Sequence, residues 1–145
     1  INKKTIQKLQ NELSSNTLLY SEIDNLKNWD HNILIIDVFG LLKHLYKYSN
    51  IAYIGGGFKE GVHNTLEPAV HGNLILFGPQ HTNFEETLLF IQKGIACSIE
   101  NKLDFENKIN KWITDHQSND IIKEKTMSFF KNTSNNLATI LHYLK

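Results

Sequence analysis

The sequence predicts a single α/β domain spanning residues 1–145, Rossmann-like, with a parallel sheet carrying helices on both faces. Three observations predict it. Apolar runs too short for helices recur at Ile33–Ile36, which is β-branched, and at Ile51–Ile54, Leu74–Phe77 and Ile95–Ile99. Segments of helical period lie between them. The strands are apolar throughout rather than alternating, which implies parallel pairing, burial on both sides and right-handed crossovers.

The elements follow in order. Ile6, Leu9 and Leu13 recur at helical spacing, and Ser14-Ser15-Asn16 stops that helix before the short apolar run Thr17–Tyr20. Asn32 introduces the strand Ile33–Ile36; Asp37-Val38-Phe39-Gly40 then leads into a helix with Leu41, Leu42, Leu45 and Tyr46 on one face. Gly55-Gly56-Gly57 ends the strand Ile51–Ile54, and a helix must begin near Asn64, because Pro68 is tolerated only in a first turn. Leu74–Phe77 closes at Gly78-Pro79, a helix runs from about Asn83 to Lys93, and Ile95–Ile99 is the next strand. Beyond Glu100 only helical stripes remain: Phe105, Ile109, Trp112 and Ile113, then Leu137, Ile140, Leu141 and Leu144.

Composition narrows the function classes. Its 145 residues, 41% of them hydrophobic, suit one domain with a real core. Fifteen basic residues balance fifteen acidic ones, so the basic footprint of a nucleic-acid binder is missing. The lone Cys97, set among apolar residues, reads as a buried thiol of a reducing compartment, with the cytoplasm as the default. No stretch approaches the roughly 20 apolar residues that span a bilayer, and no signal-peptide pattern opens the chain. The chain begins at Ile1 without an initiator Met, as an excised domain would.

In an open α/β sheet ligands bind beyond the carboxyl ends of the strands, which places the loops Asp37–Gly40, Gly55–His63 and Gly78–Asn83 on one rim. Gly55, Gly56 and Gly57 lack the Cβ atoms that would hold a ligand off the backbone, and a helix starting near Asn64 offers amides and a positive dipole end, a combination that suits phosphate. A glycine-rich loop alone is equally well a tight turn. The P-loop and dinucleotide patterns fail: Val62 stands where a P-loop needs Lys, and Glu60 where the fingerprint needs its third Gly. No His-Glu-x-x-His, paired Cys or Asp-x-Asp is present, so no bound metal is expected. His31, His44, His116 and His142 receive no function.

His63-Asn64-Thr65-Leu66-Glu67-Pro68 is the most informative segment. Asn64 can cap the helix and Glu67 can close a capping box. On the same first turn, the Glu67 carboxylate can also accept two hydrogen bonds from ribose hydroxyls while the helix start takes a phosphate. His63 can pair with that phosphate if protonated, and is as readily a packing residue.

Tyr53-Ile54-Gly55-Gly56-Gly57-Phe58, His63–Ala69 and Phe77-Gly78-Pro79 resemble, in order and spacing, the second half of 3-deoxy-D-manno-octulosonic acid (Kdo) transferases. Asp37–Leu42, Leu45-Tyr46 and Ile51-Ala52-Tyr53 extend the likeness upstream. The resemblance implies the C-terminal half of a GT-B glycosyltransferase, which holds CMP-Kdo while a separate N-terminal domain supplies the general base and the lipid A precursor site. It implies inverting transfer without metal or cofactor, at the cytoplasmic face of the bacterial inner membrane, with membrane contact only through the other half. This piece alone would be soluble and inactive. On this sequence, Gly55, Gly56 and Gly57 would approach the CMP phosphate, Asn64 and the amides after it would bind it, and Glu67 would hold the ribose. Asp37 and Gly40 would border the base pocket, and Asn83 and Phe84 the sugar.

The sequence departs from the family pattern at Gly57, where Ser is common, at Leu41, where an acidic residue is common, and at Asn83, where Lys is frequent. Two other readings stand beside Kdo transfer: a GT-B transferase or epimerase using a UDP-sugar, and a non-catalytic interaction module whose loop glycines and Glu67 are structural.

Overall fold

The computed structural model describes residues 2–13, 16–25 and 30–134. Two compact units divide the chain, Ile1–Leu45 and Tyr46–Lys145, and both are built on parallel strands.

In the first unit, the Asn2 side chain accepts from the Lys4 amide (2.9 Å) and starts α1 (Lys3–Leu13). This helix buries no side chain fully. β1 (Thr17–Leu19) and β2 (Ile33–Ile35) pair in parallel, with Leu18 opposite Leu34. A 3-10 turn, Tyr20–Asn25, follows β1. The helix expected over Leu41 to Tyr46 is only the single turn α2 (Leu42–Leu45), and the chain tightens at once into a 3-10 turn, Tyr46–Tyr48, in the second unit. The cause is tertiary: the Tyr46 carbonyl accepts from the buried Asn73 side chain (2.8 Å) and from the Ser49 amide (3.3 Å), which replaces an α-helical bond by a 3-10 one.

The second unit holds a three-stranded parallel sheet in the order β3-β4-β5, with β3 Ile51–Ile54, β4 Leu74–Phe77 and β5 Ala96–Ser98. Ile51 pairs with Leu74 and Phe77 with Ser98. β4 is central and buried at every position, as an uninterrupted apolar run in a parallel sheet should be. Its alternate side chains feed two cores. Ile75 and Phe77 join Ala52, Ile54, Ala69, Phe90 and Ala96 on one face. Leu74 and Leu76 join Ile99 and Trp112 on the other.

Helices cover both faces. α3 (Leu66–Val70) and α4 (Glu85–Gln92) supply Ala69 and Phe90 to the first core. α5 (Lys102–Thr114) supplies Phe105, Ile109 and Trp112 to the second. α6 (His116–Ser134) reaches both, with Phe129 and Phe130 edge-on to Phe90 and Ile122 on the opposite side. Ile113, expected in the packing stripe of α5, is exposed. The stripe from Leu137 to Leu144, His142, and Ser14-Ser15 lie outside the described residues. α5 starts on Asn101, whose side chain accepts from the Asp104 amide (3.0 Å).

Candidate functional site

The loops that leave β3 and β4 lock together through their backbones. Gln80 N–H donates to the Gly57 carbonyl (2.7 Å), and Val62 N–H to the Gln80 carbonyl (3.1 Å). Within the first loop, His63 N–H closes onto the Gly55 carbonyl (3.0 Å), and the Lys59 and Gly61 amides both reach the Gly56 carbonyl (2.9 and 3.2 Å). The second loop is pinned by Thr87, whose buried hydroxyl lies 2.8 and 2.7 Å from the carbonyls of His81 and Phe84.

This packing changes the reading of the glycines. A Cβ on Gly57 would meet the Gly78 backbone at 2.6 Å, and one on Gly78 the Gly57 backbone at the same distance. Gly56 has φ +88, and a Cβ there would collide with the Gly61 carbonyl oxygen (2.1 Å) and the His63 ring (2.7 Å). The Cβ positions at Gly56 and Gly57 are therefore occupied by the loops' own atoms. Gly57 is buried, while Gly55 and Gly56 remain half-exposed beneath the exposed His63.

Asn64 caps the helix after the loop, as expected: its Oδ1 accepts from the amides of Leu66 (2.9 Å) and Glu67 (3.4 Å), and α3 begins at Leu66. Two of the amides expected to be open to a phosphate are thus taken by Asn64 itself. α3 is also only five residues long, so its aligned dipole is small.

No hydrogen bond closes a capping box from Glu67 to the Asn64 amide among the described residues. The Glu67 carboxylate is exposed on the first turn. Burial first, and then the negative charge of Glu67, hold the nearby Tyr46 hydroxyl above its ordinary range. Thr65, between Asn64 and Leu66, is fully buried with its hydroxyl unpartnered, and His81 Nδ1 is likewise buried and unpartnered while its ring packs on Phe77 at 5.1 Å. Asn83 is exposed just before α4, and the Phe84 ring lies over Gly61.

Asp37 and Gly40 belong to the first unit. The Asp37 carboxylate accepts from the Ser21 hydroxyl (2.6 Å) and amide (3.0 Å), so the end of β2 is tied to the turn after β1. The Ser21 hydroxyl is the main reason that Asp37 ionises below the usual carboxylate range. Gly40, at φ +81 with open space around it, makes the turn into α2.

Apolar periodicity missed Asn73, which sets the position of α3. It is wholly buried; its side-chain amide donates to the carbonyls of Tyr46 (2.8 Å) and Pro68 (3.1 Å), and its Oδ1 accepts from the Ser49 hydroxyl. The one available signal was an Asn directly before an apolar strand. Cys97 is half-buried, and burial raises its thiol above the ordinary range. Among the described residues, no group of His, Cys, Asp and Glu is placed to hold a metal, and no helix is long and apolar enough to cross a membrane.

Comparison with known proteins bears on what this arrangement serves. No protein-family model matches the chain. A 3-deoxy-D-manno-octulosonic acid transferase of Rickettsia typhi is 30% identical over 117 residues, 79% of this chain and 25% of the relative. A bifunctional glycosyltransferase/methyltransferase of Fusobacterium nucleatum is 30% identical over 132 residues, 87% of this chain and 20% of the relative. The chain thus spans a quarter or less of the length of these two proteins. Among solved structures, the C-terminal CMP-Kdo binding domain of WaaA from Acinetobacter baumannii superimposes with a TM-score of 0.73 at 19% identity, over 86% of this chain and 66% of that one. Sequence and fold therefore agree that this chain is a relative of the Kdo transferases, folded like the C-terminal domain of WaaA.

Proposed function

We propose that this chain is the donor-binding part of a Kdo transferase, holding CMP-Kdo for transfer of Kdo to a lipid A precursor in lipopolysaccharide synthesis. One observation carries the reading: Glu67 stands exposed on the first turn of α3, released from the capping box and oriented by the Asn64 turn. A carboxylate so placed can accept from both hydroxyls of a ribose. Gly55 and Gly56 lie beneath His63, which supplies a cation to the CMP phosphate when protonated. Fixed groups of this kind stabilise the negative charge that CMP gains as it departs, without reorganising at that moment. Asn83 borders the sugar.

The reading takes from the family resemblance inversion at the anomeric carbon without a metal, a general base and acceptor site in polypeptide outside these 145 residues, and work at the cytoplasmic face of the inner membrane. The fragment alone is inactive in this reading.

The test is an NMR titration of the isotope-labelled chain with CMP, using UMP and UDP as comparators. Saturable shifts at Gly55, Gly56 and Asn64 to Glu67, strongest with CMP, are expected. A preference for UDP would move the assignment to a UDP-sugar enzyme, and silence with every nucleotide would reject the site.

A further inference from the structure

Asn73 ties two elements of the second unit together beside the candidate site. Its side-chain amide donates to the Tyr46 carbonyl (2.8 Å) and to the Pro68 carbonyl (3.1 Å), and its backbone N–H reaches the same Pro68 carbonyl (3.2 Å). The 3-10 turn at Tyr46 and the first turn of α3 are thus joined through one wholly buried residue. Tyr46 has little freedom left. The Ser49 amide also holds its carbonyl (3.3 Å), and its ring, like Leu66, packs against the core that contains Ala52, Ile54 and Ala69.

The same tie keeps the half-buried Tyr46 phenol within reach of Glu67, one residue before Pro68. The charge that acts on the Tyr46 hydroxyl is that of Glu67. Among the described residues, neither that hydroxyl nor the Glu67 carboxylate is engaged in a hydrogen bond. Burial and the neighbouring carboxylate both disfavour the phenolate, so Tyr46 offers Glu67 an O–H donor. An exposed glutamate turns about several bonds and loses that freedom when a ligand fixes it. A carboxylate has about four acceptor sites, so one O–H from the protein leaves enough for both hydroxyls of a ribose.

We propose that Tyr46 is a positioning residue for the nucleotide ribose: its phenol O–H donates to one oxygen of the Glu67 carboxylate in the bound state and fixes the rotamer in which that carboxylate accepts from the ribose hydroxyls. The proposal rests on the reading of Glu67 as the ribose contact. Tyr46 acts through Glu67 and touches neither phosphate nor sugar. This gives the hydroxyl a role that packing does not, since Phe would fill the same place against the core.

NMR titrations with CMP and with 2′,3′-dideoxy-CMP, which lacks both ribose hydroxyls, test this on the whole chain, on Tyr46→Phe, on Glu67→Ala and on the double variant. Tyr46→Phe keeps the ring in place, so its melting temperature should match that of the wild type. Its Kd for CMP should rise about fivefold, the worth of one hydrogen bond, with no change for dideoxy-CMP. In the Glu67→Ala background the same substitution should change neither affinity. An equal rise with both nucleotides, or a further loss in the double variant, would overturn the proposal, because the hydroxyl would then act on the fold or on another part of the nucleotide. If CMP affinity falls in Glu67→Ala and not in Tyr46→Phe, Tyr46 has no part in the site and the donor-site reading stands. If the wild type does not bind CMP, both fall together.

Discussion

Asn73 lies between β4 and the turn at Tyr46, and its buried side-chain amide donates to the carbonyls of Tyr46 and Pro68. Asn73→Leu keeps the branched shape and removes every one of those bonds. A loss of about 2 kcal/mol is expected in urea unfolding, from lost hydrogen bonds worth about 1 kcal/mol each. Glu67 is the opposite case, since no bond of the fold engages its exposed carboxylate. Glu67→Ala should leave the melting temperature nearly unchanged while CMP affinity in calorimetry falls by about tenfold, one lost charged hydrogen bond's worth. Unaltered affinity would remove Glu67 from the site. The two residues also mark what was legible. Glu67 stood out because a carboxylate beside Pro in a first turn has a chemical reading in one dimension. Asn73 did not, because its partners Tyr46, Ser49 and Pro68 are distant in sequence and only the fold brings them together.

Among the elements, each predicted strand that falls on described residues is present, because short apolar runs flanked by Gly and Asn admit little else. The helices were read less well at their ends. α2 stops where Asn73 captures the Tyr46 carbonyl, an event with no periodic signature. α5 provides a test at this scale. The Lys108 ammonium hydrogen-bonded to Asp104 (2.9 Å) is the main cause that lowers the Asp104 ionisation from its ordinary 3.8, with the Glu100 amide helping. A carboxyl depressed on folding contributes stability above its unfolded value, and that contribution is lost as the pH falls through the folded one. The melting temperature should therefore fall more steeply below about pH 4 in the wild type than in Asp104→Asn. Parallel acid limbs in the two proteins would show that the pair contributes nothing.

For the molecule as a whole, the α/β class, the parallel pairing and the helices on both faces follow from the sequence because a strand apolar on both sides has few other places to go. The division into two units does not follow from it, since no Pro-rich or polar linker marks Leu45 and Tyr46. The second unit holds both large cores. Residues 46–134 expressed alone should therefore unfold in one cooperative transition, readable by circular dichroism on heating. Phe77→Ala in that piece, which empties a site with no exposed surface, should cost about 3–5 kcal/mol. A gradual melt would show that the second unit needs the first.

The contact between Gly57 and Gly78 has a consequence for how this region can vary. Each glycine leaves room for the other's backbone, so the two positions share one small volume. Adding a methyl group at either must push the loops apart, and once they have parted the second methyl meets little resistance. In a double-mutant cycle, Gly57→Ala and Gly78→Ala should therefore combine to less than the sum of their separate costs. Replacement at one position makes the other permissive, so the two sites are expected to drift as a pair.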